Sequence, residues 1–244
     1  MSLDHLPHLF VEGKTDKYVI LQLLKSHDIF AQDGDQKPTN PSDVQVVVKV
    51  VKPVEGSSGS KEESLADLSQ RVRKPNHSAI GYIFDADDPA FTKWNLQQTW
   101  RAIRDRLAKA PTLLTTKDKI PENGFHGRHS KTCTPIGVWL MPDNKRDGTI
   151  EDFLRELMAD GDRIAPFAEK STREAKDAHG ALFPDKDFKK AVMETWLAWQ
   201  EEPGTSFGVA FQKNQLLKDK PLAQRFVSWV QTLIADAMFP SPSN

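Results

Sequence analysis

The chain has few cysteines and no long apolar run, and each absence narrows the class of protein. Cys133 is the single cysteine, so no internal disulfide can form, which favours a reducing, cytoplasmic setting. No stretch approaches the roughly 20 apolar residues of a membrane span. The sequence also does not start with a basic region followed by an apolar run. We therefore expect a soluble intracellular protein with no membrane partner.

The sequence also lacks a charge excess, because its 33 basic and 34 acidic side chains leave a formal net charge of −1. Any nucleic-acid binding would then have to come from local basic patches. One such patch is the polar stretch 115–134, which we expect to be a lid or substrate loop with Arg128 and Lys131 on nucleic acid. The Gly/Ser stretch 56–60 has no Walker lysine after a second glycine, which excludes a P-loop.

Hydrophobic periodicity predicts a strand followed by a helix four times in the first part of the chain. The predicted strands are His8–Val11, Val44–Val51, Ser78–Phe84 and Ile136–Met141. The predicted helices are 16–27, Glu63–Lys74, Phe91–Ala110 and 150–159, with Thr15 and Thr149 as N-caps of the first and last. This alternation predicts an α/β fold with a mainly parallel four-stranded sheet flanked by helices.

The second part of the chain has a different pattern. After about residue 160 the strand signal fades, and two tryptophan-containing stretches have helical spacing. We expect an α/β domain at residues 1–160 and a helical C-terminal extension at residues 161–244 that packs on it. The Gly/Ser-rich stretch 54–63 predicts a mobile surface loop, residues 29–43 predict a loop, and the tail 240–244 predicts disorder.

Carboxylates follow three of the predicted strands. They are Glu12 and Asp16 after the first, Asp85 and Asp87 after the third, and Asp143, Glu151 and Asp152 after the fourth. Ligands of parallel α/β sheets bind beyond the carboxyl ends of the strands, where these side chains would converge and repel one another. A Mg²⁺ ion, or Mn²⁺ in its place, relieves such repulsion and suits phosphoryl transfer. One acidic residue after a strand is commonly only a turn former, so the combination carries the prediction.

The two acidic motifs resemble those of the Toprim domain of topoisomerases, bacterial primases, repair proteins and the overcoming-lysogenization-defect nucleases. EGKTD at Glu12–Asp16 follows HLFV, and DAD at Asp85–Asp87 follows AIGYIF. The resemblance covers roughly residues 6–160 and implies a Rossmann-like Toprim core. E-G-x-x-D looks most like the nuclease branch, whereas residues 142–154 and 189–204 resemble a less characterised, stand-alone Toprim-related branch.

The resemblance implies roles for four metal ligands. Glu12 matches the family glutamate, a metal ligand in nucleases and an acid/base in topoisomerases. Asp85 and Asp87 match the D-x-D metal ligands, and Asp16 matches the additional acidic residue of the nuclease branch.

Further residues separate the branches of the family. Glu151 matches an acidic residue on a later helix, and the nuclease branch uses a lysine beyond the D-x-D, for which Lys190 is the first candidate and Lys189 the second. A topoisomerase needs a nucleophilic tyrosine, but Tyr18 lies in a helix pattern and Tyr82 in a buried-looking strand. The sequence also has no Cys/His zinc module of the primase kind.

The leading hypothesis is therefore a Mg²⁺-dependent phosphodiester hydrolase, a nuclease acting on DNA or RNA in repair or phage defence. The alternative is a non-catalytic Toprim-fold binding or regulatory module that works with a partner such as an ATPase. A third option is nucleotidyl or phosphoryl transfer to a small substrate. The sequence leaves open whether the chain forms an oligomer.

Overall fold

A computed structural model describes residues 3–38, 40–51, 61–110, 112–113 and 118–238 of the chain. Most of the predicted mobile loop (residues 54–60) and the predicted disordered tail (240–244) lie outside the described residues.

The described chain is a mixed α/β structure. Its strands are β1 (His8–Val11), β2 (Ala31–Asp33), β3 (Val46–Val50), β4 (Ile80–Asp85), β5 (Thr112–Leu113), β6 (Phe125–His129) and β7 (Pro135–Met141). Its helices are α1 (Lys14–Ser26), α2 (Lys61–Arg73), α3 (Leu96–Ala108), α4 (Ile150–Glu156), α5 (Ile164–His179), α6 (Phe188–Ala198), α7 (Phe207–Gln212) and α8 (Pro221–Met238). Two short 3-10 helices cover Pro41–Asp43 and Asp185–Asp187.

The strands form one sheet in the order β2-β3-β1-β4-β7-β6-β5. Five neighbouring strands pair in parallel, in the spatial order β2-β3-β1-β4-β7. The last two strands, β6 and β5, pair antiparallel at one edge of the sheet. The mainly parallel sheet is confirmed, but the prediction of four strands is wrong, since the described residues contain seven.

The additional strands lie where the sequence predicts loops. β2 falls within 29–43, and β6 and its short partner β5 lie in or beside 115–134. β6 has buried residues only at its two ends, so it lacks the alternating pattern of a half-buried strand. Its ladder with β7, the next strand along the chain, pairs Phe125 with Val138. Short polar strands near the edge of a sheet are defined by their partner rather than by their own sequence.

Helices cover both faces of the sheet, which explains why its central strands are apolar throughout. Phe10, Tyr82 and Val138 form a cross-strand row on one face, which packs against α2 and α3. The adjacent row on the other face is Leu9, Gly81 and Gly137. That face packs against α1 and the helices of the C-terminal part of the chain.

The row containing Gly81 and Gly137 makes a trough that receives Trp229 of α8. A Cβ on Gly137 would lie 3.0 Å from Trp229 Cζ2, and a Cβ on Gly124 would lie 2.5 Å from Trp229 Cδ1. The Trp229 indole N–H donates to the carbonyl of Phe125 at 3.2 Å. The position of α8 therefore depends on Gly124 and Gly137, because a side chain at either one would collide with Trp229.

The described part of the chain after residue 160 is helical, as predicted. Residues 161–238 are all described and contain α5 to α8 but no strand. α8 lies directly on β4 and β7, and its Phe226 and Trp229 share one core with Trp139. The boundary at residue 160 itself stays a prediction. Among the described residues, none of the helices is both long and apolar enough to cross a membrane.

Gly137→Val should destabilise the protein by about 1–3 kcal/mol, because the valine would overpack against the rigid Trp229 ring. Urea unfolding followed by circular dichroism measures this loss. The double variant Gly137→Val/Trp229→Leu is the control, because a smaller residue 229 makes room for the valine. Its loss should be smaller than the sum of the two single losses. Additive losses would show that the two positions do not pack against each other.

Candidate metal centre

The order β1-β4-β7 places the carboxyl ends of the three acidic strands side by side. Glu12 follows β1 and Asp85 ends β4. The carboxylate Oε2 of Glu12 accepts the backbone N–H of Asp85 at 2.8 Å, so the two motifs are joined directly. The predicted convergence of the E-G-x-x-D and D-x-D motifs is present in the structure.

Asp16 is held by the start of α1. Its Oδ2 accepts the backbone N–H of Gly13 at 2.9 Å, and Gly13 is the N-cap in place of the predicted Thr15. A side chain on Gly13 would be crowded, since its Cβ would lie 3.3 Å from Asp16 Oδ2. The glycine of the motif therefore lets the Asp16 carboxylate fold back toward Glu12.

The D-x-D motif is tied to the segment after β7. Oδ1 of Asp85 accepts the backbone N–H of Ile150 at 3.0 Å, at the start of α4. Asp87 has φ of 66°, a conformation uncommon for a residue other than glycine, and its backbone N–H donates to the carbonyl of Gly148 at 2.9 Å. A Cβ on Gly148 would lie 2.5 Å from Asp152 Oδ2, which explains the glycine before Thr149.

Two more carboxylates stand at the start of α4. Thr149 is its N-cap as predicted, and the Oδ2 of Asp152 accepts the Thr149 N–H at 2.9 Å. The Thr149 hydroxyl donates to Glu151 Oε2 at 2.6 Å. Glu151 faces the same cavity as Asp85 and Asp87, so the structure brings this predicted residue to the site.

The carboxylates are held at close range in a largely desolvated place. Burial, followed by the negative charge of Glu12, raises the pKa of Asp16 to about 6. Burial and then the charges of Asp16 and Glu12 raise the pKa of Asp85 well above its ordinary value. Burial also raises the pKa of Glu12, against the lowering influence of Lys61. This edge of the sheet therefore favours a bound cation.

Lys61, the first residue of α2, already places a positive charge among these carboxylates. Its buried ammonium lies 3.2 Å from Glu12 Oε2 and 2.8 Å from Asp87 Oδ2, and it donates to the carbonyl of Asp85. Burial alone would lower the pKa of Lys61, but Glu12, Asp87 and Asp85 outweigh it and raise that pKa. The Lys61 ammonium thus supplies the positive charge that a metal ion would supply at this site.

Lys61 is the residue of the site that the sequence did not reveal. One signal was available in the sequence: the helix dipole favours acidic residues at the first position of a helix, so a lysine there is unusual. The preceding residues 52–60 lie outside the described part of the chain.

A cavity of about 560 Å³ opens beside the carboxylates. Its acidic wall carries Asp85, Asp87 and Glu151. The opposite wall, from α5 to the start of α6, carries five cations and three carboxylates, namely Arg173, Lys176, Lys186, Lys189 and Lys190 against Asp177, Asp185 and Asp187. An anionic ligand that enters the cavity would meet both walls.

Lys189 and Lys190 both line this cavity, but they differ in position. The ammonium of Lys189 lies 2.9 Å from Asp152 Oδ2 and 3.6 Å from Asp88 Oδ2, so it is held at the acidic edge. Lys190 is exposed and forms no ion pair with a described carboxylate. The catalytic role predicted for Lys190 stays a prediction.

Three other predicted residues lie elsewhere. Asp143 is used by its own turn: its Oδ1 accepts the N–H of Lys145 at 2.9 Å, and its Oδ2 pairs with Arg146 at 3.2 Å. The structure therefore corrects the expectation that Asp143 extends the acidic edge. Arg128 faces the first residue of β7, whereas Asp85 faces its last, so Arg128 and nearby Lys131 lie toward the opposite end of the sheet.

Arg128 is also engaged within the chain, where its guanidinium pairs with Asp236 of α8 at 2.9 Å. Because β6 is part of the sheet, the expectation that all of residues 115–134 form a lid loop is wrong. Nucleic-acid binding by Arg128 and Lys131 stays a prediction. Neither residue lines the cavity beside the carboxylates.

The donor set fits a hard divalent cation, because it consists of carboxylate oxygens and already encloses an ammonium. As the side chains stand, no group of three His, Cys, Asp or Glu residues in the described ranges is arranged around one point as metal ligands. Binding of a metal ion would therefore require some of these side chains to move.

The chain is thus a mixed α/β protein with an acidic site at the carboxyl edge of its sheet. The family model described as "Protein of unknown function (DUF3226)" matches residues 7–235, and the chain belongs to this family. The match begins just before β1 and ends within α8, so the site and the C-terminal helices lie within one family unit. No curated protein and no solved structure matches the chain.

Asp16→Asn should stabilise the metal-free protein by about 1–3 kcal/mol at pH 7.5, a pH at which Asp16 is ionised. Folding raises the Asp16 pKa from 3.8 to about 6, so its ionisation costs stability above pH 6. That cost disappears as the pH falls toward 3.8, and the variant's advantage should disappear with it. The asparagine oxygen can still accept the Gly13 N–H.

Urea unfolding in EDTA at pH 7.5 and pH 4 measures the difference between this variant and the unchanged chain. Asp105→Asn, at an exposed position of α3, is the control and should change stability at neither pH. An Asp16→Asn protein with an equal advantage at both pH values would contradict the repulsion among the carboxylates.

Proposed function

We propose that this protein is a Mg²⁺-dependent phosphodiester hydrolase, a nuclease with a Rossmann-like core of the Toprim kind that acts on DNA or RNA. The observation that carries the proposal is the convergence of Glu12, Asp16 and Asp85 at one sheet edge, where each carboxyl group has a raised pKa. Mn²⁺ would substitute for Mg²⁺ at such a site.

The residues in reach of the metal are Glu12, Asp16, Asp85 and Asp87, with Glu151 completing or orienting the site. A bound divalent ion would neutralise phosphate oxygens and activate a water there. Glu12 keeps its orientation through the Asp85 N–H, and Asp85 keeps its own through the Ile150 N–H. These backbone contacts leave the second oxygen of each carboxylate for the ion.

The basic wall supports a phosphodiester as the substrate. Lys189, held at the edge by Asp152 and Asp88, would stabilise charge that develops on a phosphate. Lys186 and Lys190 are exposed on the same wall and would contact neighbouring phosphates of a strand. The formal net charge of −1 does not oppose this, because the positive charge is local.

The alternative is a binding or regulatory module that works with a partner such as an ATPase. The ion pairs of Lys61 favour it, because they compensate the acidic site without any metal. In this case the isolated chain would lack Mg²⁺-dependent cleavage, and a partner would co-purify with it.

Glu12→Gln and Asp85→Asn should each abolish Mg²⁺-dependent cleavage while the protein stays folded. Each removes a charged metal ligand and keeps an oxygen that can accept the same backbone N–H. Cleavage of labelled DNA and RNA in Mg²⁺ or Mn²⁺, together with thermal melting, measures both properties. Mg²⁺ should raise the melting temperature of the unchanged chain but not of either variant.

Asp105→Asn is the control and should behave as the unchanged chain does, because Asp105 lies beside the C-terminal half of α2 and not at the acidic edge. Cleavage that survives both site substitutions would show that the metal site is assigned wrongly. A metal-dependent rise in melting temperature without any cleavage, together with a captured partner, would support the alternative.

Lys190→Gln and Lys189→Gln should separate phosphate binding from charge stabilisation. Lys190→Gln removes one exposed phosphate contact, so the slope of log affinity against log salt for a single strand should fall by about 0.7. Lys189→Gln should instead lower turnover about a hundredfold with little change in that slope. Single-turnover kinetics and salt titrations measure the two effects. The opposite assignment of effects would make Lys190 the catalytic lysine, as the sequence predicted.

A further inference from the structure

The acidic site opens into a concave cavity rather than onto a flat face. The cavity volume of about 560 Å³ lies in the range of small-molecule pockets, roughly 300–1,000 Å³. A pocket of this size admits a nucleotide or two of a flexible strand, whereas a duplex would have to stay outside.

An aromatic residue, Phe91, lines this cavity. It lies in the turn that follows the D-x-D motif, where its backbone N–H donates to the carbonyl of Asp88 at 3.0 Å. The side chain is 49% exposed although it lines the cavity, so about half of an apolar side chain faces solvent beside carboxylates. Single exposed apolar residues are common on protein surfaces, so its place in the lining of this cavity is what sets Phe91 apart.

The opposite wall holds a second aromatic residue. Phe188 begins α6 and lines the same cavity, and the guanidinium of Arg173 lies 4.4 Å from the centre of its ring. This part of the wall therefore offers an aromatic ring and a guanidinium side by side. Bases stack on aromatic and guanidinium planes of this kind, and the neighbouring phosphates are attracted by the cation.

We propose that the substrate is a single-stranded nucleic acid, with a base beside the scissile phosphate stacked on Phe91 and another on the Phe188–Arg173 pair. The bases of a duplex are covered by their neighbours, so they cannot stack on a side chain unless they leave the helix. This inference rests on the proposed nuclease function and names its substrate class. Phe91 is then a specificity-determining residue, separate from the metal ligands.

Fluorescence anisotropy tests the inference with one labelled oligonucleotide, used as a single strand and as a blunt duplex. Ca²⁺ replaces Mg²⁺, and a gel verifies that the strand stays intact. The unchanged chain should bind the single strand about tenfold more tightly than the duplex. Phe91→Leu, which keeps the apolar side chain but removes the ring, should weaken single-strand binding about tenfold and leave duplex binding unchanged.

Phe91→Tyr should restore the affinity, because tyrosine keeps the aromatic face. Phe167→Leu is the matched control: Phe167 is 56% exposed but does not line the cavity, and its ring lies at a tilt against Trp199. Tighter binding of the duplex, or a Phe91→Leu protein that binds the single strand as the unchanged chain does, would overturn the inference. Cleavage that depends on Glu12 would in that case still support the proposed nuclease function. Absence of both binding and cleavage would overturn the nuclease proposal and the single-strand inference together.

Discussion

Parallel pairing of β1 with β4 and of β4 with β7 is the constraint on which the site depends. It places the end of β1, the end of β4 and the segment after β7 at one edge of the sheet. Side chains that are far apart in sequence are thereby forced to within hydrogen-bonding distance, as Glu12 is to the N–H of Asp85. A one-residue shift in the register of β4 or β7 would turn Gly81 or Gly137 to the other face and place a larger side chain under Trp229, so the edge stays fixed.

The same constraint makes the edge electrostatically unfavourable in the absence of a cation. Desolvation and mutual repulsion raise the pKa of Glu12, Asp16 and Asp85, and a folded protein retains such a cluster only with compensation. Lys61 supplies part of it from the start of α2. Raised pKa values of this kind are more typical of functional than of structural carboxylates, which is why a metal site is proposed here.

The sequence predicted the elements whose own residues carry a strong pattern. It was possible to predict β1, β3, β4, β7 and most of the helices, because apolar periodicity and caps such as Thr149 are local signals. β2, β5 and β6 were missed because short or polar strands at and near the edges of a sheet are stabilised mainly by their partners' backbone. Helix α3 was placed too early, since its N-cap is Asn95, whose side chain accepts the N–H of Gln98 at 2.8 Å.

By itself, the sequence determined that carboxylates follow apolar strands and that helices alternate with them, because these are properties of neighbouring residues. Only the tertiary structure decided which carboxylates meet. It brought Glu151 to the site, left Asp143 in its own turn, and carried Arg128 toward the opposite end of the sheet. It also inserted Lys61 among the carboxylates and Trp229 over two glycines. Strand order and helix packing set these contacts, and neither is encoded in the spacing of residues along the chain.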